Sequence, residues 1–248
     1  MIERELFLRR FHAAHPGITS AGVARPDGHD SYARLVAAVP HGARVLDLGC
    51  GDAHLISRLG PRAIGIDVAP GRDSIAGEAA GARRQLVQAR AQALPFAAGS
   101  FDACVCHLAF MLFDDLDGVV AELRRVVVPG GGFAAVLGGG PTADGDDAFH
   151  RFLAIAAPRG TSFGDRRART EPGWRALFGR GGAPAAPRFE RFELDLSGPF
   201  AEVWRFLGAS YQLAGGEATA GRERLRTVYP GHAIVPCRVV MWLATVAL

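Results

Sequence analysis

Between residues 43 and 139, short apolar segments alternate with stretches of helical periodicity, and this alternation limits the possible folds more than any other feature. We expect strands at Val45–Leu48, Ala63–Ile66, Gln85–Val87, Ala103–Cys106 and Phe133–Leu137. Strands that are separated by helices favour an α/β fold with a doubly wound, mostly parallel sheet. In such a sheet, ligands bind beyond the carboxyl ends of the strands.

The segments between these strands predict helices over Ala53–Leu59, Arg72–Gly81 and Asp115–Val127. The third helix is the best defined, because its apolar residues recur at a spacing of about 3.6 residues. Asp114 or Asp115 can cap its first turn, and the Pro-Gly-Gly-Gly segment at 129–132 is expected to stop it.

The flanks add further elements to this alternation. Residues 32–39 predict a helix before the first strand. After residue 140 we expect a strand at Phe189–Leu196, helices from Phe200 to about Tyr211 and at Ala218–Val228, and a last strand at Arg238–Val246. The sequence therefore predicts a seven-stranded, Rossmann-like sheet with an N-terminal helical cap and with helices inserted before the last strand.

Residues 45–51 (VLDLGCG) form the most informative motif. Gly49 and Gly51 allow a tight turn and leave room for a ligand to meet bare backbone. The free amides at the start of the following helix can hold a polar group. A nicotinamide-dinucleotide fingerprint requires Gly or Ala where this chain has His54. A carboxylate at Asp47 instead favours a cationic ligand.

A second carboxylate, Asp67, ends the next strand. It follows Asp47 by about twenty residues, the spacing at which a carboxylate accepts hydrogen bonds from the hydroxyls of a ribose. The alternative is that Asp67 caps the segment after Val68. Position and spacing together favour the ribose role.

Four motifs occur in order along this region: residues 45–51, Gly65–Asp67, Ala93–Phe96 with Ser100–Asp102, and Leu123–Val126 with Pro129–Gly131. Together they resemble class I S-adenosylmethionine-dependent methyltransferases, in particular the ubiquinone/menaquinone-biosynthesis-like group that acts on small molecules. The resemblance covers roughly residues 43–139, about two fifths of the chain.

The resemblance implies methyl transfer from S-adenosylmethionine to an O, N or C atom of a small molecule, such as a secondary or quinone-like metabolite. It implies a cofactor site formed by Tyr32, Asp47, Gly49, Cys50, Gly51, Asp67, Val68, Ala91, Gln92 and His107. It also implies one methyltransferase domain over 1–248, with an N-terminal cap (1–42), a cofactor-binding core (43–139), and C-terminal strands and substrate-side helices (140–248).

Two positions depart from the family pattern. Ala53 stands where the family usually has a third glycine, which is a small change. After the third strand, Arg90 stands at the usual acidic position, and a guanidinium cannot accept a hydrogen bond from an adenine amino group. The Ala91 backbone and the Gln92 amide are then the expected adenine contacts.

His107 is the leading catalytic candidate, because it follows the fourth strand at the ligand-binding edge. A histidine with an ordinary pKa of about 6.5 suits general-base work on an acceptor. The alternatives are that it orients the acceptor, packs against the cofactor or caps a turn. A helical stripe of aromatic residues provides the candidate substrate contacts Phe200, Trp204 and Tyr211, although a core role is equally compatible with its spacing.

Composition narrows the possible partners. The 28 basic groups exceed the 25 acidic ones by only three, and the sequence lacks Lys, so the pI reflects an arginine-based composition rather than a basic patch. We expect neither a nucleic-acid partner nor a membrane segment, and no His, Asp or Glu cluster has metal-ligand spacing. Cys50, Cys104, Cys106 and Cys237 show no disulfide or zinc pattern, which favours a reducing, cytoplasmic environment. The oligomeric state is not predicted.

Two other functions stay open at this stage. One is a nicotinamide-dependent oxidoreductase of Rossmann type, which His54 and Asp47 disfavour. The other is a protein of the same fold that binds the cofactor without catalysis, and the altered position at Arg90 is its only support.

Overall fold

The computed structural model describes residues 3–15, 17–25, 27–69, 85–143, 145–156, 164–179, 186–208 and 218–248. The described residues contain one seven-stranded sheet with strand order β3-β2-β1-β4-β5-β7-β6. Its strands are β1 (Val45–Leu48), β2 (Ala63–Asp67), β3 (Leu86–Gln88), β4 (Phe101–His107), β5 (Val127–Pro141), β6 (Arg188–Asp195) and β7 (Arg238–Ala247). The first five are parallel, and β7 runs antiparallel to both β5 and β6. The predicted fold class is confirmed.

Helices flank this sheet in the order expected of a doubly wound fold. They are α1 (Glu3–Ala14), α2 (Ile18–Val23), α3 (Ser31–Ala37), α4 (His54–Leu59), α5 (Leu116–Val126), α6 (Ala148–Ala156), α7 (Glu171–Phe178), α8 (Phe200–Leu207) and α9 (Ala218–Val228). The helix predicted at Arg72–Gly81 lies outside the described residues. No helix among the described residues combines the length and the apolar character that crossing a membrane would require.

Each face of the sheet carries its own apolar core. On one face, α5 and α7 pack around the fully buried Trp174, whose ring stacks on Phe133 with centroids 5.4 Å apart. On the other face, α3, α4, α6 and α8 pack against apolar residues of the strands. Burial of both faces explains why the central strands are continuous apolar runs rather than alternating ones.

The end of α5 differs from the prediction. Asp115 caps the helix by accepting a hydrogen bond from the Gly118 amide, as expected. The helix ends at Val126, one residue before the predicted end, and residues 129–132, which were expected to stop it, form part of β5. The β-branched Val127 and Val128 extend the strand backward from the predicted Phe133–Leu137, because extended backbone suits their side chains.

Candidate active site

The carboxyl ends of β1 to β4 meet at one edge of the sheet, and the loop after β1 forms the centre of that edge. The amides of Gly49 and Cys50 both donate to the Ile66 carbonyl, at 2.8 and 2.9 Å, which folds the loop against β2. Gly49 has a φ of +77°, and a Cβ there would lie 2.5 Å from the Cβ of Ala109. Gly51 has a φ of +51°, yet a Cβ there would meet open space. The loop therefore leaves the backbone at Gly51 accessible.

Ala53 is one of two non-glycine residues in the described chain with positive φ, at +64°, and it forms the N-terminal boundary of α4. The family's usual third glycine thus marks a left-handed position, which this chain fills with a small side chain. The second is Leu108, with a φ of +55°, directly after His107. Both strained residues flank the same edge, and such backbone strain is common at functional sites.

Asp67 ends β2 beside this loop. Its carboxylate accepts hydrogen bonds from the amides of Gly51 at 3.1 Å and Ala69 at 2.8 Å. The carboxylate therefore caps the turn at Val68–Ala69 and holds the glycine loop, whereas most of the segment that it was predicted to cap lies outside the described residues. Half-buried, the carboxylate also lines the cavity described below, so both predicted roles are compatible with its position.

Asp47 is the most unusual group of the site. It lies in the middle of β1, opposite Gly65 of β2 and Val105 of β4, and is 1% exposed. Neither carboxylate oxygen has a hydrogen-bond partner among the described residues. Burial, followed by the nearby Asp67 and Asp52 carboxylates, raises the pKa of Asp47 to about 8. A buried carboxyl without partners is costly, so this site favours a ligand that brings a positive charge.

A cavity of about 680 Å³ opens over this edge. Its lining includes every residue predicted to bind the cofactor: Tyr32, Asp47, Gly49, Cys50, Gly51, Asp67, Val68, Ala91, Gln92 and His107. The volume lies within the usual range for small-molecule sites. The resemblance thus identified residues that the fold brings together in one cavity.

The N-terminal helices cover this cavity. Glu5, Leu8, Arg9 and His12 of α1 and Ile18 and Thr19 of α2 are part of its lining. Glu5 forms an ion pair with Arg90 at 2.9 Å, and Ser20 of α2 donates a hydrogen bond to Asp52. Burial lowers the pKa of His12, although the Asp67 and Asp52 carboxylates oppose the shift. Arg90, the departure from the family pattern, therefore connects β3 to the cap.

His107 lies in a buried aromatic and polar cluster. Its ring stacks on Tyr32 with centroids 3.8 Å apart, and its Nε2 is 2.8 Å from Ser31 Oγ. Asp30 caps α3 and accepts a two-pronged ion pair from Arg58, with both distances 2.8 Å, which fixes this end of the helix.

The surroundings of His107 change its expected chemistry. Burial lowers the pKa of His107 to about 3, so the ring is neutral at neutral pH. The ordinary pKa assumed from the sequence does not apply, because only 8% of the residue is exposed. A conjugate acid this strong makes the ring a weak general base, and its hydrogen bond with Ser31 suits a role in positioning.

Part of the cavity lining, which we call the apolar wall, consists of residues that differ from the predicted ones. Leu108 and Met111 follow β4, Phe149 and Phe152 come from α6, and Phe206 and Leu207 come from α8. Phe200 and Trp204 are not among the described residues that line the cavity: Trp204 packs against Phe152, and Arg222 and Arg226 lie over the Phe200 ring. Tyr211 lies outside the described residues.

The sequence pattern of α8 explains this difference. Phe200, Val203, Trp204 and Leu207 have helical spacing, but of these four only Leu207 lines the cavity, and Val203 is fully buried in the core. The neighbouring Phe206 instead meets α6, with its ring centroid 5.7 Å from that of Phe149. Phe149 and Phe152, three residues apart, are the signal that the sequence reasoning missed.

The residues present fit S-adenosylmethionine. The unpartnered carboxyl of Asp47 matches a ligand ammonium group, and the Asp67 carboxylate can accept from ribose hydroxyls. The open space beside Gly51 leaves room for the ligand to meet the backbone. The Gln92 amide and the Ala91 backbone, both in the lining, offer the donor and acceptor groups that an adenine edge requires. Within the described residues, no group of three or more His, Cys, Asp or Glu side chains could hold a metal ion.

Comparisons with known proteins agree with this fit. A family model described as a methyltransferase domain matches residues 46–135. Malonyl-[acyl-carrier protein] O-methyltransferase of Geobacter sulfurreducens is 32% identical over 202 residues, which cover 77% of this chain and 76% of that protein. Demethylmenaquinone methyltransferase of Thermus thermophilus is 40% identical over 96 residues, 36% of this chain and 44% of the relative. The match therefore spans less than half the length of the Thermus protein.

A solved structure extends the comparison to the whole fold. The YcgJ protein of Bacillus subtilis superposes with a TM-score of 0.55, covering 88% of this chain and 97% of that one, at 18% identity. At this identity the likeness concerns the fold alone. The family rests on the Geobacter relative, which is matched over about three quarters of both chains. This chain belongs to the class I S-adenosylmethionine-dependent methyltransferases, whose cofactor is S-adenosylmethionine.

Proposed function

We propose that this protein methylates a small, apolar acceptor, such as an aromatic or quinone-like metabolite, at an O, N or C atom. The observation that carries the proposal is the cavity itself. Its lining combines Asp47, whose carboxyl has no hydrogen-bond partner among the described residues, and the Gly49–Gly51 loop with the apolar wall of α6 and α8. The name of the Thermus relative also supports a quinone-like acceptor, although that relative is matched over less than half its length.

In this proposal the chain's own residues bind and orient. S-adenosylmethionine supplies the methyl group from its sulfonium. Asp47 holds the ammonium group, Asp67 the ribose, and Ala91 with Gln92 the adenine, while Tyr32, Cys50 and Val68 pack around the ligand. The α1 and α2 cap excludes water from the cavity. Holding the two reactants in line can supply a large part of the rate acceleration, so a strong base is not required.

We propose His107 as the residue that positions the acceptor. Its neutral ring, fixed between Tyr32 and Ser31, lines the same cavity as the glycine loop and the apolar wall. Phe149, Phe152 and Phe206 replace Phe200 and Trp204 as the proposed acceptor contacts, because they line the cavity.

Calorimetry with S-adenosylmethionine and with NADH tests the cofactor half of the proposal. We expect S-adenosylmethionine to bind and NADH to give no heat of binding, because a buried carboxyl at Asp47 disfavours a pyrophosphate. Binding of NADH alone would instead support an oxidoreductase.

A mass-spectrometric screen tests the acceptor half. Apolar phenols, quinols and carboxylic acids are incubated with protein and S-adenosylmethionine, and products are searched for a gain of one CH₂ unit. The expected result is a methylated product from the apolar set, with Asp47→Asn as the inactive control. Tight cofactor binding without methylation of any class, tested also with polar amines and acids, would favour a non-catalytic binding protein.

A further inference from the structure

A second buried polar cluster lies at the start of α6, outside the cofactor cavity. Asp147 is 5% exposed and accepts hydrogen bonds from the amides of Phe149 at 3.1 Å and His150 at 3.2 Å. Its other oxygen accepts from the amide of Arg238 at 2.6 Å. One carboxylate therefore connects the first turn of α6 to the start of β7.

The side chain of His150 completes this cluster. Its Nδ1 lies 2.8 Å from Asp147 Oδ1, and its Nε2 lies 2.8 Å from the carbonyl oxygen of Thr142, just past the end of β5. A carbonyl oxygen can only accept, and an ionised carboxylate can only accept. Both ring nitrogens must then donate, so the geometry requires a doubly protonated imidazole.

The charged and titratable groups around His150 favour this state. The Asp147 carboxylate raises the pKa of His150, and Asp146 adds to the effect. Burial alone would raise the pKa of Asp147, but hydrogen bonds from His150 and from the Arg238 amide outweigh it and lower that pKa. Arg151 pairs with Asp146, and Tyr229 and Cys237 face the cluster with raised pKa values that keep them neutral.

The cluster lies on the same helix as residues of the apolar wall. Phe149 and Phe152, which flank His150 on α6, line the cavity, and the Phe149 ring packs on Phe206 of α8. Gly145 packs closely against the His150 ring, because a Cβ at Gly145 would lie 2.5 Å from His150 Cε1. A change in the hydrogen bonds of His150 would therefore be transmitted to the position of these two rings.

We propose that His150, as an imidazolium held between Asp147 and Thr142, is a positioning residue. It holds the aromatic residues of the apolar wall in place and makes the affinity for apolar ligands pH-dependent. The inference rests on the proposed function, since it assigns that wall to the acceptor. When His150 loses its proton, one of its two side-chain hydrogen bonds is lost, so the side chain no longer connects α6 to both Asp147 and the Thr142 carbonyl. Affinity for an apolar ligand then falls as the pH rises.

The protonation state is tested in the full-length wild-type chain by long-range ¹H–¹⁵N correlation of ¹⁵N-histidine-labelled protein, with His150→Gln assigning the signal. We expect both ring nitrogens to carry protons at about pH 6.5, with a midpoint above this ordinary value. We expect Asp147→Asn to lower that midpoint. A neutral tautomer at pH 6.5 in the wild type would overturn the inference without reliance on any variant.

The effect on the wall is tested with Nile red, a neutral apolar dye, in protein saturated with S-adenosylhomocysteine. We expect the dissociation constant to rise about fivefold or more as the pH increases through the His150 midpoint, a typical size for coupling between sites. In His150→Gln we expect weak dye binding, with a dissociation constant that does not change with pH. His29→Gln removes the histidine of an exposed pair with Asp27 and is expected to retain the wild-type profile.

A wild-type dye affinity that does not change with pH, or an unchanged profile in His150→Gln, would contradict the positioning role. Failure of S-adenosylhomocysteine to bind in the same samples would instead count against the proposed function. The two failures are therefore distinguishable.

Discussion

Asp47 is the single residue whose protonation depends most on its ligand. With a pKa of about 8, most of its carboxyl is protonated at pH 7 in the protein alone. An ammonium group placed beside it lowers that pKa, because an opposite charge favours the ionised form. Cofactor binding at neutral pH should therefore release a proton.

Calorimetry with S-adenosylhomocysteine at pH 7, in two buffers of different ionisation enthalpy, measures this release. We expect close to one proton per binding event, and none in Asp47→Asn. The release should disappear above about pH 9, where the carboxyl is already ionised. Equal binding enthalpies in both buffers for the wild type would show that Asp47 does not bind the cation.

Gly51 provides a test of the loop with an internal control. Gly51→Val introduces a side chain into open space at the cavity, whereas Gly42→Val does so at another positive φ, +74°, outside the cavity. Both variants should lose about 1–2 kcal/mol of unfolding free energy from left-handed backbone strain. Only Gly51→Val should also abolish binding of S-adenosylmethionine, measured by calorimetry. Equal binding by the two variants would place the cofactor elsewhere.

Substitutions of His107 distinguish a positioning role from proton transfer. If the neutral ring only orients, His107→Ala should lower turnover about tenfold, the effect of one lost hydrogen bond, and His107→Gln should recover part of it. The wild-type rate should show no acidic limb near pH 6.5, because the pKa of His107 is about 3. A limb near pH 6.5 that vanishes in both variants, with a loss of about 10²–10⁴-fold in each, would identify a general base.

At the scale of elements, the strands and the glycine loop were predictable because their signals are local. An apolar run such as Val45–Leu48 and the glycines that follow it carry their own backbone preferences. An N-terminal cap was predicted, but the contacts that hold it and the residues of the apolar wall were not predictable in this way. Glu5 meets Arg90, and Phe149 meets Phe206, across long stretches of chain, so only the tertiary fold brings these side chains together.

The ion pair between Arg90 and Glu5 connects α1 to the end of β3. Arg90 is about half exposed and Glu5 is mostly buried, so their ion pair should contribute at most about 1 kcal/mol to the docking of α1. Arg90→Glu should increase hydrogen exchange of the α1 amides, and the exchange of charges in Glu5→Arg/Arg90→Glu should restore protection. Mass-spectrometric hydrogen exchange measures both. If the double variant exchanges as fast as Arg90→Glu, the pair does not hold the cap.

For the molecule as a whole, two buried groups with opposite shifts define a pH window of stability. Asp47 has a raised pKa, so between about pH 4 and 8 the native state binds more protons than the unfolded state. The free energy of unfolding therefore falls as the pH rises through this range. His107 has a lowered pKa, so stability falls as the pH drops from about 6.5 towards 3. Between about pH 4 and 6.5 the two slopes oppose each other.

Urea unfolding of the protein alone, measured across pH, checks this window. We expect a plateau from about pH 4 to 6.5 and a decline above it of up to about 1.4 kcal/mol per pH unit. Asp47→Asn should remove most of the alkaline decline, and the raised pKa of His150 should account for the remainder. Asp102→Asn, at an exposed ion pair with Arg44, should leave the decline unchanged. A wild type as stable at pH 8 as at pH 6 would contradict the raised pKa of Asp47.

All four cysteines are reduced and buried, so their rates of alkylation report when each part of the native structure opens. Burial raises the pKa of each thiol, so none should react with an alkylating reagent while the fold stays closed. Cys50 lines the cavity, whereas Cys104 and Cys106 lie in the central strand β4. In the wild-type protein, the rate at which Cys50 alone is alkylated would therefore measure how often the α1–α2 cap opens. The rate at which Cys104 and Cys106 are alkylated would measure how often the strands of the sheet separate.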